Sequence, residues 1–166
     1  MLTTIICDMG NVLLRYEPET FLDRCQVHDP QDRGLLRQEI FDSPLWPKMD
    51  WGELDEAGLE SQVLPRLPER LHTVAHNLIF HWDEPVLPIP GMADFLQDCK
   101  DAGLRLYLLS NASLRQPAYW PRVPGSSLFD GGIVSAFYRC VKPSPEIYHL
   151  ALEKFRLSPQ ECLFID

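Results

Sequence analysis

The sequence has no long apolar run. None of its hydrophobic stretches reaches the roughly 20 residues that a helix needs to cross a bilayer, so no membrane partner is expected. It is also short of positive charge, with 15 Lys and Arg against 24 Asp and Glu and a formal net charge of −9. Nucleic acid and anionic membrane surfaces are polyanions that such a chain repels, so neither is an expected partner. A small phosphorylated molecule stays possible, because a pocket can be locally positive. The N-terminal MLTTIICDMG lacks the basic start of a secretory leader. The five cysteines (Cys7, Cys25, Cys99, Cys140 and Cys162) are odd in number and fit no zinc or CxxC spacing. They read as reduced thiols of a cytoplasmic protein. The sequence has no internal repeat, and its 15 prolines punctuate loops without forming a proline-rich tract.

What is present is the composition of a globular protein, 45% hydrophobic and 23% charged. Thr3 to Cys7, TTIIC, is a short β-branched run of the kind buried in parallel sheets, and it ends at Asp8. Met9-Gly10-Asn11 breaks it, and Val12-Leu13-Leu14 continues it briefly. From about Pro18 to Trp82 the apolar residues fall at helical spacing, as in Phe21, Leu22 and Cys25, or Leu35, Leu36, Ile40 and Phe41. Breaks at Asp29-Pro30, Ser43-Pro44 and Leu64-Pro65 divide this stretch into about four helices.

A proline-rich linker, EPVLPIPG at residues 84–91, leads into a helix from Met92 that stops at Gly103. Leu104 to Leu109 reads as a strand ending in Ser110-Asn111, and Gly132 to Val134 as a shorter one. Ser144-Pro145 opens a helix, with Ser144 as N-cap and an apolar stripe of Ile147, Leu150, Ala151, Leu152 and Phe155. Ser158 to Glu161 has the form of a capping box, and Cys162 to Ile165 is a last strand ending at Asp166. Strands alternating with helices predict a doubly wound parallel α/β sheet of Rossmann-like form, carrying a small helical insert. Residues 1–15 and 84–166 form the core domain in this reading, and residues 16–83 a helical cap. Ligands of such sheets bind beyond the carboxyl ends of the strands, where Asp8, Ser110 and Asp166 all fall.

Carboxylates and a hydroxyl at strand ends can hold a divalent metal, or one carboxylate can attack an electrophile. A cation such as Lys142 would offset the charge that builds on a transferring phosphoryl group. The runs IICDMGNVLL, LYLLSNAS, VKPSPEIY and CLFID together resemble the four ordered motifs of the haloacid dehalogenase (HAD) superfamily. The first run is similar to the DxGNV subgroup, which has a helical cap after that motif and includes phosphatases of glucose 1-phosphate type. The resemblance implies a Mg²⁺-dependent phosphohydrolase acting on a small phosphate ester, such as a sugar phosphate, through an aspartyl phosphate on Asp8. It implies Ser110 and Asn111 as phosphate-binding residues, and Lys142 as a catalytic and phosphate-binding cation. Asp8, the Gly10 carbonyl and Asp166 are the implied metal ligands.

Two departures accompany the resemblance. Many phosphatases of the superfamily carry a second Asp, a general acid and base, where this chain has Gly10, which has no side chain to move a proton. The subgroup often has Gly where Arg139 stands and a basic residue where Val141 stands. The superfamily core also continues past the position of Asp166 with a further acid, a helix and a strand, so the last core elements are expected to be missing. Two alternatives follow: a metal-independent haloacid dehalogenase, which a chelator test separates, and a non-catalytic phosphate-ester-binding or regulatory protein on the same fold. His72 and His76, four apart on a helix, read as a solvated face rather than a metal pair. Trp46, Trp51 and Trp82 read as cap core, with Met49 and Trp51 near enough to a cap loop to touch substrate. Nothing in the sequence sets an oligomeric state.

Overall fold

The computed structural model describes residues 1–166. Four parallel strands form one sheet in the order β3-β2-β1-β4: β1 Thr4–Cys7, β2 Arg105–Ser110, β3 Gly131–Val134 and β4 Cys162–Ile165. Every residue of β1 is buried, as the unbroken apolar run TIIC requires of a strand covered on both faces. The register places Cys7 beside Leu108 of β2 and Ile165 of β4, while Ser110 pairs with Val134 of β3. The chain runs outward from β1 through β2 to β3, then returns to place β4 on the other side of β1. The strand order therefore reverses at the β1–β4 boundary, and a crevice opens there above the carboxyl ends.

Nine α-helices accompany the sheet. Six lie between β1 and β2, and the first five make up the helical segment: α1 Pro18–Arg24, α2 Pro30–Leu36, α3 Trp46–Asp50, α4 Glu56–Val63 and α5 His72–Phe80. A turn of π-helix, Arg37–Phe41, extends α2. The starts of these helices follow from local chemistry. Pro18 and Pro30 occupy first-turn positions, where the missing N–H costs nothing. Asp29 caps α2 by accepting from Gln31 and Asp32 N–H, each at 2.9 Å, and Asp55 caps α4 through Gly58 N–H at 2.8 Å. These helices enclose a cluster of 15 buried hydrophobics from Phe21 to Ile79, a core separate from the two clusters that sandwich the sheet. Burying one such Leu or Ile contributes about 1.5–3 kcal/mol.

The remaining helices are α6 Met92–Asp101, α7 Gln116–Tyr119, α8 Ser135–Tyr138 and α9 Pro145–Lys154. In α9, Ile147 and Ala151 are buried, and Leu150, Leu152 and Phe155 pack beside them against the sheet.

Several local expectations are corrected. Val12-Leu13 is a turn rather than more strand, and only Leu14 resumes β pairing, bridging Gly10 and Pro88; the Met9 carbonyl accepts from the N–H groups of Leu13 (2.9 Å) and Leu14 (3.1 Å). Asn11 takes a positive φ there, which Asn tolerates better than most residues. The helical stretch holds five α-helices rather than four, because its prolines and short caps split it further. Ser144 makes no capping bond, and its hydroxyl donates to Glu146. Ser158 likewise donates to Gln160 Oε1 at 2.9 Å, so Pro159–Glu161 is a 3-10 turn without a capping box. In both cases a side-chain oxygen two residues on orients the serine hydroxyl. Short helices α7 and α8 are too brief to leave a periodic signal.

Candidate active site

Asp8 follows β1 directly, and its N–H donates to Ile165 O at 2.8 Å, which draws the ends of β1 and β4 together. Lys142 Nζ lies 3.1 Å from Asp8 Oδ1 and donates to Asp166 Oδ1 at 2.8 Å, so one ammonium bridges the two strand-end carboxylates. The lysine side chain is 9% exposed. Its ammonium also sits 5.3 Å from the centre of the Phe164 ring. Asp8 Oδ1 is buried and receives no well-aligned hydrogen bond, the Lys142 contact being an ion pair in distance rather than in angle. Burial pushes the Asp8 carboxyl up, and the Lys142 charge, the Met9 N–H and the Ser110 hydroxyl pull it part of the way back. Asp166 is more open. Its partial burial acts upward, but hydrogen bonds with Lys142 and Asp8 hold its carboxyl below the usual range.

Asn111 fixes the lysine. Its Oδ1 accepts from Lys142 N–H at 2.7 Å, and its Nδ2 donates to Lys142 O at 3.0 Å. Both ends of the side-chain amide thus hold the loop that carries Lys142, a positioning use beyond the phosphate contact expected from sequence. Ser110 is buried at the end of β2, and its hydroxyl points to the Asn111 carbonyl at 3.5 Å. Gly10 lies on the rim with ordinary backbone angles, and no turn or loop hydrogen bond ends on its carbonyl. Asp8, Gly10, Ser110, Asn111, Lys142 and Asp166 are therefore gathered around one strand-end crevice.

A cavity of about 240 Å³ opens beside them. Asp8, Gly10 and Asn111 form its floor. Tyr16, Trp46, Met49 and Asp50 wall it from the helical segment, with Trp82 and Tyr119 closing the side. The aromatic rings form a chain: Tyr16 lies 6.0 Å from Trp46 and 5.3 Å from Trp82, and Trp82 lies 5.2 Å from Tyr119. Trp46 and Trp82 thus serve the core of the helical segment and the cavity at once, whereas Trp51 is exposed. Met49 reaches the cavity as expected, and Trp51 does not line it.

The helical segment is tied down over the sheet at several points. Ser113 Oγ donates to Glu56 Oε1 at 2.6 Å, and Ser135 Oγ donates to the Asp50 carbonyl at 2.7 Å. Arg115 and Arg122 both grip the buried Asp83 carboxylate. Gly52, at φ +68°, passes so close to α8 that a Cβ would lie 2.3 Å from the Ala136 carbonyl oxygen.

Sequence reasoning missed Asp50, Glu56 and Tyr119. The tetrad Met49-Asp50-Trp51-Gly52 held a usable signal, an acid in an apolar setting just before a glycine. His72 and His76 are used elsewhere, His72 Nε2 lying 3.1 Å from Leu67 O and His76 Nδ1 2.7 Å from Glu60 Oε1. Arg139 is exposed and left-handed at φ +51°, a conformation that glycine adopts more readily than arginine.

A doubly wound parallel sheet with carboxylates and a lysine at its switch point, roofed by a helical insert, defines a Rossmann-like α/β protein. The chain belongs to the haloacid dehalogenase-like hydrolase family, whose model matches residues 2–166. Protein CbbY of Cereibacter sphaeroides is 31% identical over 81 residues. That match takes in 46% of this chain and 35% of CbbY, so it spans about a third of the relative's length. Among solved structures, a mutant HAD family enzyme from Bacteroides thetaiotaomicron, in complex with magnesium and inorganic phosphate, superposes with a TM-score of 0.74 at 16% identity. It covers 100% of this chain and 85% of its own. A predicted HAD-like hydrolase from Porphyromonas gingivalis has a TM-score of 0.72 at 22% identity, covering 100% and 82%. L-2-haloacid dehalogenase from Xanthobacter autotrophicus, with chloropropionic acid covalently bound, has a TM-score of 0.67 at 19% identity, covering 99% and 69%. At these identities the likeness concerns the fold.

Proposed function

We propose that this chain carries the site of a Mg²⁺-dependent phosphohydrolase that cleaves a small phosphate ester, such as a sugar phosphate, through an aspartyl phosphate on Asp8. The observation that carries the reading is the bridge of Lys142 between Asp8 and Asp166, with Asp8 itself lining an adjoining cavity of about 240 Å³. In this reading Asp8 attacks phosphorus in line, the alcohol leaves, and water then frees phosphate from Asp8. Lys142 balances the charge that gathers on the phosphoryl oxygens. Ser110 and the backbone N–H groups beside Asn111 hold those oxygens, and Asn111 keeps Lys142 in place.

The residues present fit the implied ion. The donors are the carboxylates of Asp8 and Asp166 and the carbonyl of Gly10, all hard oxygens of the kind Mg²⁺ takes. The buried Asp8 Oδ1 lacks an aligned hydrogen bond and is free to serve as a ligand. No group of three or more His, Cys, Asp or Glu side chains forms a cage. Mg²⁺ commonly binds through one or two carboxylates and completes its shell with water and substrate oxygens. When bound, the ion would withdraw charge from the phosphoryl group.

We also propose the division of the chain into a core, residues 1–15 and 84–166, and a cap, residues 16–83. The separate hydrophobic cluster of the helical segment supports it. The cap excludes bulk water from the cavity and sets the choice of leaving group. A reducing, cytoplasmic setting is supported by five free cysteines.

One observation favours a second reading, a metal-independent dehalogenase: Lys142 already contacts both Asp8 and Asp166 and offsets part of their charge without an ion. The test is phosphate release from a panel of sugar and nucleotide monophosphates, with Mg²⁺ or with EDTA, for the parent and its Asp8→Asn variant. Release that needs both Mg²⁺ and Asp8 upholds the phosphatase. Halide release from 2-haloacids in EDTA, with no phosphate release in Mg²⁺, replaces it with the dehalogenase.

A further inference from the structure

One step of the proposed reaction has no donor among the residues assembled so far. The oxygen that leaves phosphorus needs a proton, and Gly10 has no side chain to supply one. Asp50 faces the same cavity from the opposite wall. It ends α3, and its carboxylate takes part in no ion pair and receives no hydrogen bond. The groups around it are Asp8 from the end of β1, Tyr16 from the following turn, Tyr119 from α7 and Glu56 from α4. None is a cation. An isolated carboxylate on a cavity wall, without a cation or donor, is placed to hold a proton rather than a charge.

The main chain fixes its position. The Asp50 carbonyl accepts from Ser135 Oγ at 2.7 Å, and Ser135 Oγ in turn accepts from Ala112 N–H at 3.0 Å, next to Asn111. Two residues on, Gly52 presses against the Ala136 carbonyl. The end of α3 is thus pinned to the loops that also carry the phosphate-binding residues.

We propose that Asp50 is the general acid and base of this site, protonating the leaving oxygen in the first step and deprotonating the attacking water in the second. The proposal rests on the phosphatase reading. In the first step an Asp8 carboxylate oxygen bonds to phosphorus as the ester P–O bond breaks, and the Asp50 proton passes to the departing oxygen, giving the alcohol. In the second, water bonds to phosphorus as the Asp8–phosphorus link breaks, and a proton of that water returns to Asp50. Asp8 ends as a carboxylate, Asp50 as an acid, and phosphate is released. Burial, followed by the negative charge of Asp8, pushes the Asp50 carboxyl up to about 7, close to the value that proton transfer at neutral pH favours.

The test compares two esters that differ in their need for a proton. An alkyl phosphate such as glycerol phosphate leaves as a basic alkoxide, whereas p-nitrophenyl phosphate leaves as a stable phenolate. For Asp50→Asn, kcat/KM on the alkyl ester is expected to fall on the order of 10²- to 10⁴-fold. On p-nitrophenyl phosphate, where kcat/KM reports only phosphoryl transfer, the fall is expected to stay below about tenfold. The kcat for both esters drops, because the second step still needs a base. Adding Gly10→Asp to Asp50→Asn is expected to restore alkyl turnover, since a Cβ at position 10 meets nothing nearer than Tyr16 Cβ at 3.8 Å. Equal losses in kcat/KM on the two esters, or full alkyl activity in a folded Asp50→Asn protein, would overturn the proposal and leave the phosphatase standing. A parent that releases no phosphate from either ester overturns both.

Discussion

Asn111→Ala removes the two hydrogen bonds that hold the Lys142 loop, at 2.7 and 3.0 Å. Each contributes about 0.5–1.5 kcal/mol net, and the half-buried Lys142 N–H and carbonyl lose their protein partners. The expected loss of stability is about 2 kcal/mol. For a chain of this length that lowers the Tm by about 4–8 °C. The functional effect is larger in proportion, because the Lys142 ammonium must stay within reach of both Asp8 and Asp166. A displacement of about 1 Å at such a centre can cost on the order of 100-fold in rate. Asn111→Asp keeps the acceptor for Lys142 N–H and loses the donor to its carbonyl, so its stability falls between those of the parent and Asn111→Ala. Urea unfolding with an unchanged m-value gives the energies, and phosphate release gives the rate. If Asn111→Ala unfolds within about 0.5 kcal/mol of the parent and keeps full activity, the positioning argument is wrong.

Gly52→Ala should be among the most damaging small substitutions. Its φ of +68° costs a non-glycine residue about 1–2 kcal/mol, and the new methyl would collide with Ala136 O, so thermal melting should show a loss well beyond the conformational cost alone. Arg139→Gly should act in the opposite direction, because it relieves a left-handed arginine at φ +51°. A gain of up to about 1 kcal/mol in urea unfolding is expected, offset in part by the extra freedom of glycine in the unfolded chain. Asp130→Asn probes linkage. Burial acts upward on Asp130, but Lys100 and Leu106 N–H outweigh it and hold the carboxyl below its ordinary value. A depressed carboxylate stabilises the fold above its unfolded pKa and loses that contribution as pH falls through the folded one. Asp130→Asn should therefore be less stable than the parent at pH 7, with the gap closing below about pH 4. A gap that widens on acidification would contradict this.

The sheet and the floor of the site were legible because each chemical residue follows an apolar run. Asp8 after TIIC, Ser110 after LYLL and Asp166 after CLFI are marked by the abrupt change in polarity, and a parallel sheet brings such ends together. Lys142 was legible through its place before Pro143 and α9. The roof was not. Asp50, Glu56 and Tyr119 lie on short helices far along the chain, and they reach the cavity because separate pieces fold back over it. No local period records that convergence. The Ser144 and Ser158 caps failed for a related reason: a side-chain oxygen two residues on orients each hydroxyl, and sequence pattern alone does not record that orientation.

On the phosphatase reading, the arrangement of charge around the site also bears on how a phosphate ester arrives. The chain carries a net −9, and the ammonium of Lys142 is sunk beneath the surface at 9% exposure. A dianion approaching from solvent therefore meets the repulsive field of the net charge before it feels the lysine. Association is then uphill at long range, the reverse of electrostatic steering. Salt shortens the reach of that field to about 10 Å at 0.1 M, so capture should quicken as ionic strength rises from low values. Encounter rate is in this way set by the net charge of the chain, and retention by the buried cation.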